Sequence, residues 1–304
     1  MSQPLGAVAT RRKTLDPKLD IVFWMLLARE SNRALLLLVL NAVLQPLAPI
    51  RTVTLLSSEP EKATVDDKGV VLDLRVQLES GEQIDIEMQT RGHPALHERI
   101  LYYWARLYVG QLRRGADYAA LRRSVVVLFA DFSLSADQRY HSIFRVQERH
   151  GGQPLTDQLE IHVVELPKLE SAQDRNDEPN LLLWGKFLSA TSDAALEELA
   201  MEHPVMKQAK EALDELSDDP VARVRAEQRE MALMAYSLGM GGARQEGITQ
   251  GKVEALRKLL RLKFGELPGP AAQRLESAGE AQLDRWLESV LSATSLDAVL
   301  DSER

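Results

Sequence analysis

The chain has 304 residues, of which 45% are hydrophobic and 27% are charged, and it contains no cysteine. This length allows about two domains, and the apolar fraction is sufficient for folded cores, which excludes an intrinsically disordered protein. The lack of cysteine excludes disulfides, thiolate zinc sites and a cysteine nucleophile. No apolar run is long enough to cross a membrane, and no hydrophobic signal segment opens the sequence. We therefore expect a soluble cytoplasmic protein.

The net charge of −8 is unevenly distributed along the chain. Residues 1–130 carry 17 Lys and Arg against 14 Asp and Glu, whereas the remaining 174 residues carry 20 against 31. The basic residues of the first part are either ordinary solubilising charges or the lining of a groove that follows a polyanion backbone. The candidates are Arg11, Arg12, Lys13, Arg113, Arg114, Arg122 and Arg123.

The first predicted helix begins near Asp20, which directly precedes the apolar run at residues 21–27. An aspartate at this point caps a helix or lies favourably in its first turn. A leucine-rich helix follows and ends at residues 40–44, LNAVL.

Residues 70–89, VVLDLRVQLESGEQIDIEMQ, have the alternation of a β-hairpin in which each strand has one apolar and one polar face. The apolar faces coincide only if the loop has an odd number of residues. This favours a three-residue turn at residues 80–82, with Gly81 available for a positive φ. In that register Leu78 faces Ile84 or its neighbour.

The polar face of this hairpin gathers candidate metal ligands. Asp73 is expected opposite Gln89, with Glu87 diagonal to Asp73 and within reach of the same ion. Carboxylate oxygens suit Mg²⁺ or Mn²⁺, which retain waters that serve as nucleophiles. Arg75 and Asp85 share the face as supporting residues. The alternative is an ordinary exposed hairpin face, because acidic residues are common on solvated strands.

A helix is predicted from about residue 96 to residue 112, with Trp104 and the tyrosines in the core. Two β-branched runs follow, at residues 124–134 and 158–166, and predict further strands of a mixed sheet flanked by helices. The six histidines show no metal-binding spacing and no phosphate-binding glycine loop is present. Histidine-metal and nucleotide-driven mechanisms are therefore not expected.

The C-terminal part is predicted to be mostly helical, from residue 180 to about residue 264, with breaks at Pro204 and Pro220. Residues 239–251, GMGGARQEGITQG, are too glycine-rich for a strong autonomous helix. They predict a connector, or a thin helix that allows close chain approach. The tail, residues 252–300, has apolar residues at helical spacing that predict a compact helical core. These are Leu256, Leu259, Leu260, Leu283, Trp286, Leu287 and Val290.

Four ordered blocks within residues 15–134 resemble the Rpn family of recombination-promoting nucleases, also called PD-(D/E)XK nuclease family transposases. The blocks are LDPKLDIVF (15–23), LNAVL (40–44), LDLRVQLESGEQIDIEMQ (72–89) and HERILYYWARLYVGQLRRGADY (97–118). The resemblance implies an α/β, restriction-endonuclease-like fold and a metal-dependent DNA endonuclease, with DNA as partner and Mg²⁺ or Mn²⁺ as cofactor. The tail resembles the small helical domain DUF4351.

The resemblance also implies roles for individual residues. Asp73, Glu87 and the carbonyl of Met88 would bind the metal, and Gln89, where many relatives have lysine, would position the attacking water. Asp20 would be the helix-borne catalytic acid, whereas the residues alone favour a helix cap.

Arg99 and Tyr103 match a recurrent Arg-x-x-x-Tyr pair of the family, which would contact a phosphate. The alternative is a solvated arginine row beside buried aromatics. Trp24 stands where relatives often have lysine. Gln89 and Trp24 leave a second function open, a decayed nuclease fold that binds DNA or a protein without cutting.

We expect three parts along the chain, namely a nuclease domain at residues 1–190, a helical extension at residues 191–244 and the DUF4351-like domain at residues 245–304. The apolar helices of the C-terminal region either pack into a core of their own or mediate a homodimer. A homodimer would suit a protein that acts on both strands of a duplex.

Overall fold

The computed structural model of the chain describes residues 14–56, 74–172 and 178–301. The strands are β1 (Val53–Leu55), β2 (Leu74–Leu78), β3 (Gln83–Gln89), β4 (Ser124–Ala130), β5 (His141–Arg145) and β6 (Leu159–Glu165). They form one mixed sheet in the spatial order β1-β2-β3-β4-β6-β5. Helices flank this sheet and a helical region follows it, so the predicted fold class is confirmed.

The β2–β3 hairpin has the predicted pairing of apolar faces in a shifted register. Leu78 was predicted to face Ile84 or its neighbour, whereas Val76 lies opposite Ile84. The Leu78 amide donates to the Glu82 carbonyl over 2.9 Å, so the loop begins one residue earlier than predicted. Gly81 has the expected positive φ of 89°. A register shift of two residues keeps every side chain on its face, because side chains alternate with a period of two.

The middle of the sheet is parallel, since β4 pairs in parallel with both β3 and β6. All seven residues of β4 are buried, as expected for a strand covered on both faces. β4 ends at Ala130, before the predicted end at residue 134. The edge strands β1 and β5 were not predicted, because they are short and their side chains are partly or fully exposed.

Helices cover both faces of the sheet. They are α1 (Asp20–Ala28), α2 (Arg33–Leu44), α3 (Leu96–Val109), α4 (Leu169–Ala172), α5 (Pro179–Ser189), α6 (Asp193–Glu202) and α7 (Pro204–Asp218). On the α3 side, Ile100 lies in a buried cluster with Val126 and Leu128. On the α1 side, the rings of Phe23 and Phe129 are 5.6 Å apart. The side chains of adjacent β4 residues therefore pack into two separate cores, one on each face of the sheet.

The last helix of this series, α8 (Pro220–Phe264), includes the glycine-rich residues 239–251 without a break. The prediction of a connector is therefore wrong, and the alternative of a helix is confirmed. The predicted breaks at Pro204 and Pro220 are also confirmed, because each proline begins a helix. α3 ends at Val109, three residues before its predicted end. Across the described residues, no helix combines the length and the hydropathy needed to span a bilayer.

The chain divides into two compact units, Met1–Arg229 and Glu230–Arg304. The second unit contains the later part of α8 together with α9 (Gly269–Ser277), α10 (Glu280–Ser289) and α11 (Leu296–Leu300). Its buried core includes five predicted members: Leu256, Leu260, Leu283, Trp286 and Val290. Leu287 packs against this core half-buried, whereas Leu259 is exposed, contrary to the prediction. The predicted compact helical core is otherwise confirmed.

Candidate active site

The polar side chains of β3 lie on a buried face of the sheet. Glu87 pairs in register with Leu128, and Gln89 with Ala130. Leu128 and Ala130 belong to the buried cluster under α3. Glu87 and Gln89 therefore point to the α3 side, since paired residues share a face. Glu87 is 1% exposed and Asp85 is 0% exposed, so the alternative of an ordinary exposed hairpin face is wrong.

Carboxylates buried this deeply cost free energy unless neighbouring groups compensate their charge. Arg75 lies directly opposite Asp85 in the β2–β3 register and brings a positive charge to the same face. The side-chain amide of Gln89 donates to Glu87 Oε2 over 3.1 Å. Because the nitrogen of this amide is used, its carbonyl oxygen is the end that can accept a hydrogen bond from water. Gln89 is thereby oriented by the carboxylate beside it.

The oxygen donors near Glu87 fit a hard divalent cation. The Asp131 amide donates to the Gln89 carbonyl over 2.9 Å, so the backbone of Gln89 faces β4. Backbone groups alternate along a strand, and the carbonyl of Met88 therefore faces away from β4. A carboxylate and a carbonyl outside this ladder are the kind of ligands that Mg²⁺ prefers.

Asp73, the other predicted metal ligand, lies outside the described residues, and so does its predicted position opposite Gln89. Within the described part of the chain, no three His, Asp or Glu side chains are grouped so that they could hold a metal. The metal site predicted from the sequence contains Asp73, and its assembly therefore stays a prediction.

Asp20 lies in the first turn of α1, and the N-cap is Leu19, so the cap interpretation is wrong and the first-turn interpretation is confirmed. Arg229 of α8 engages its carboxylate, with Nε 2.9 Å from each oxygen and Nη2 in contact with Oδ2. The two side chains are 13% and 14% exposed. The partners are 209 positions apart, and the sequence carries no signal for this pair. These contacts favour a positioning role for Asp20.

Lys18 forms an ion pair at the carboxyl end of β3 that was not predicted from the sequence. Its Nζ lies 2.8 Å from Asp131 Oδ2, and the backbone of Asp131 is bonded to that of Gln89. Gln89 itself has no charge. Asp131 therefore connects Lys18 to Gln89, the position at which many relatives have lysine. The only sequence signal for Lys18 was its place in the first block of the resemblance.

Arg99 and Tyr103 lie one turn apart on α3 and contact each other. Arg99 Nη2 is 3.3 Å from the Tyr103 hydroxyl, and the guanidinium lies 5.7 Å from the ring centroid. Both side chains are half-buried, whereas the alternative interpretation predicted a solvated arginine and a buried tyrosine. Tyr102 is 60% exposed, contrary to the predicted core position, and Trp24 is buried in α1.

A family model described as PD-(D/E)XK nuclease family transposase matches residues 17–238. The chain belongs to this family. The match includes α1–α7 and every described strand of the sheet. No curated protein and no solved structure matches the chain.

Membership of the transposase family supports a nuclease- or transposase-type function with DNA as the substrate. Nucleases of the PD-(D/E)XK kind typically use divalent metal ions, which agrees with the oxygen donors around Glu87. The match ends at residue 238, so it does not test the resemblance of the tail to DUF4351.

A second charged cluster of this transposase-family chain lies on β5 and β6, on the sheet face opposite to α3. His162 is fully buried, with Nε2 2.7 Å from Glu160 Oε1 and Nδ1 2.9 Å from His141 Nε2. Arg123 and Arg145 also contact the Glu160 carboxylate. Histidine spacing in the sequence did not reveal the cluster, because its members meet through strand pairing.

This cluster predicts that the free energy of unfolding decreases when the pH is lowered. Burial, and after it the interaction with His162, lower the pKa of His141 to about 4. Burial raises the pKa of Glu160, but the hydrogen bond with His162 and the charge of Arg123 outweigh it and bring the pKa to about 2. Both groups bind protons less readily in the folded chain. Stability is therefore lost as pH falls from 6.5 to about 4 through His141, and from 4.5 to about 2 through Glu160.

The measurement is the urea midpoint of unfolding as a function of pH. The wild-type midpoint is expected to decrease below pH 6.5, and His141→Gln is expected to flatten the upper part of this decrease. His150→Gln is the matched control, because His150 is exposed and outside the cluster. Equal slopes for His141→Gln and the wild type would contradict the account.

Proposed function

We propose that the chain is a metal-dependent DNA endonuclease that hydrolyses phosphodiesters, and that it acts in the cytoplasm as a transposase-like, recombination-promoting nuclease. The observation that carries the proposal is the buried Glu87 on β3, hydrogen-bonded to Gln89, within a chain of the PD-(D/E)XK family. A carboxylate kept 1% exposed on a sheet, with polar neighbours arranged around it, is the signature of a functional site and not of a solvated face.

We assign Mg²⁺ as the cofactor, with Mn²⁺ as the alternative, held by Asp73, Glu87 and the Met88 carbonyl. When bound, the ion supplies positive charge for the phosphodiester oxygens and acidifies water. Glu87 holds one side of the site rigidly, because its strand is paired on both sides and its carboxylate is buried.

Gln89 positions the attacking water. Its amide nitrogen donates to Glu87, so its carbonyl oxygen accepts a hydrogen bond from the water and orients the water lone pair towards the phosphorus. Lys18 pairs with Asp131, whose backbone amide donates to the Gln89 carbonyl, and these contacts hold the carboxyl end of β3 in place. On α3, Arg99 binds a phosphate oxygen and Tyr103 holds the guanidinium in place.

Replacement of Gln89 by alanine is expected to lower the rate of plasmid cleavage by about 100-fold, because the orientation of the water is lost. DNA affinity, measured by gel shift in EDTA, is expected to stay within about 2-fold of the wild type, since the phosphate contacts remain. Gln83→Ala, on the same strand and half-buried like Gln89, is the matched control and should cleave normally. Unchanged cleavage by Gln89→Ala would remove Gln89 from the mechanism.

A second function is suggested by the resemblance, in which Gln89 and the buried Trp24 stand at positions where many relatives have lysine. In this reading the fold binds DNA or a protein without cutting. The two functions differ in their need for metal, since only the enzyme requires a divalent ion beyond binding. Binding without cleavage at every divalent ion tested would favour the binding module.

The division of the chain at residues 190 and 244 and the DUF4351-like nature of residues 245–304 stay predictions. For Asp20, two roles remain as proposals: the catalytic acid implied by the family, and a positioning residue that acts through Arg229. Comparison of Arg229→Met with the double variant Asp20→Asn/Arg229→Met separates these roles.

A further inference from the structure

The outer face of α3 presents an open aromatic ring beside an arginine. Tyr102, Arg106 and Val109 follow one another on this face at intervals of four and three residues, and all three are exposed. Tyr102 is 60% exposed and Val109 is 68% exposed. Large side chains that lie together and stay open to water mark an interaction surface.

The charge of this region indicates an anionic partner. Residues 99–123, which include most of α3 and the loop after it, contain six arginines and one acidic residue, although the whole chain has a net charge of −8. Two of these arginines, Arg113 and Arg114, are exposed in the loop, and their side chains have no hydrogen bond or ion pair within the described residues. The acidic residue, Asp117, accepts a hydrogen bond from the Ala119 amide. The arginines therefore leave a local excess of positive charge.

The ring of Tyr102 makes this partner a nucleic acid. The guanidinium carbon of Arg106 lies 5.9 Å from the centroid of the Tyr102 ring. An open ring beside a guanidinium is suited to stack on a base and to hold the adjoining phosphate. An acidic peptide would use the arginines but would leave the ring without a stacking partner. Glu98, the one acidic residue of α3, lies in the first turn, where its charge suits the helix N-terminus.

The outer face of α3 leads away from the candidate active site. α3 begins shortly after Gln89 and covers the sheet face that carries Glu87. Its other end lies near the start of β4, because Trp104 Nε1 donates to the Ser124 carbonyl over 2.9 Å. The 14 residues of α3 span about 20 Å, which is room for about six stacked nucleotides. A strand bound along this face extends from the site towards the loop arginines.

We propose that the outer face of α3 binds single-stranded DNA, with a base stacked on Tyr102 and the phosphates held by Arg106 and the loop arginines. Bases in a duplex are stacked on both sides by their neighbours, so their faces are closed to a side chain on a helix. The open ring therefore favours an unpaired strand. The preferred substrate then has an unpaired segment beside the cleavage point, and this consequence rests on the proposed function, whereas the binding does not.

The first test is equilibrium binding in EDTA, measured by fluorescence anisotropy with a labelled strand of about 16 nucleotides, alone and annealed to its complement. The wild type is expected to bind the single strand about 10-fold more tightly than the duplex. Tyr102→Ala is expected to raise the dissociation constant for the single strand by about 10-fold, and Tyr102→Phe by less than about 2-fold, because phenylalanine keeps the ring. Tyr236→Ala is the matched control, since Tyr236 is an exposed tyrosine on another helix, α8.

EDTA prevents metal-dependent cleavage, so this result does not depend on nuclease activity. A chain that cuts no DNA but binds as expected retains the inference and loses the proposed function. Duplex bound as tightly as the single strand by the wild type, or a Tyr102→Ala variant that binds the single strand like the wild type, would overturn the inference.

The second test separates nucleic acid from an acidic protein. Arg113→Gln/Arg114→Gln is expected to reduce the slope of log Kd against log salt by about 1.4 for the single strand, because two phosphate contacts are lost. Arg225→Gln/Arg285→Gln removes the same charge from exposed positions on α8 and α10 and should keep the slope. Polyglutamate is expected to displace the labelled strand less effectively than unlabelled single strand of equal charge. Equal displacement would indicate an acidic protein partner, and that result or an unchanged slope overturns the proposal.

Discussion

Glu87→Gln is expected to lower Mg²⁺-dependent DNA cleavage by about 1000-fold or more. Removal of the charge of a metal ligand takes away several kcal/mol of transition-state stabilisation, and each ~1.4 kcal/mol is a factor of ten in rate. The measurement is single-turnover nicking of supercoiled plasmid by wild-type and variant chains. Glutamine is nearly isosteric with glutamate, so the shape of the α3-side cluster is retained.

The fold of this variant is expected to be at least as stable as the wild type. Glu87 is 1% exposed, and a neutral amide is easier to bury than a carboxylate. Glu82→Gln, in the loop of the same hairpin and half-buried, is the matched control and should cleave like the wild type. Cleavage by Glu87→Gln within about 10-fold of the wild-type rate would place the chemistry elsewhere.

Arg229→Met is expected to lower the free energy of unfolding by about 3 kcal/mol. The substitution leaves the Asp20 carboxylate, 13% exposed, without the guanidinium that engages both of its oxygens. Loss of one partner from a largely buried ion pair destabilises because the other charge stays buried. The measurement is equilibrium unfolding in urea. Arg139→Met is the matched control, since the Arg139–Asp137 pair is open to solvent and is expected to contribute little to the free energy of unfolding.

The double variant Asp20→Asn/Arg229→Met is expected to recover part of this loss, because it removes both charges. The same variant separates the two roles of Asp20. If Asp20 only positions α1 through Arg229, Arg229→Met and the double variant lower the cleavage rate to a similar extent, because both lack the ion pair. If Asp20 is the catalytic acid, Arg229→Met still cleaves, whereas the double variant folds but does not cleave. Equal destabilisation by Arg229→Met and Arg139→Met would contradict the structural account of the pair.

The hairpin shows how far the sequence alone could predict the site. Strand alternation assigned Glu87 and Gln89 to one face, because a period of two is visible in the residues themselves. The register was wrong by two residues, since Val76 and not Leu78 lies opposite Ile84, and no feature of the pattern distinguishes these registers. The burial of Glu87 depends on α3 and β4 and was not predictable from the hairpin.

The contacts around the site come from residues far apart in the sequence. Asp20 meets Arg229, and Lys18 meets Asp131, through the packing of helices and strands that no local pattern reports. In the glycine-rich part of α8, the local sequence pattern did not decide the conformation. Low helix propensity predicted a connector or a thin helix at residues 239–251, and the segment is helical.

The measurement that tests the proposed function most directly is cleavage of supercoiled plasmid by the wild-type chain, with Mg²⁺ and with EDTA in parallel. For a metal-dependent endonuclease, nicked and linear DNA are expected with Mg²⁺, and intact plasmid is expected with EDTA. Plasmid that stays supercoiled in both conditions and with Mn²⁺, while a gel shift shows that the chain is bound to it, would contradict a nuclease and favour a binding module.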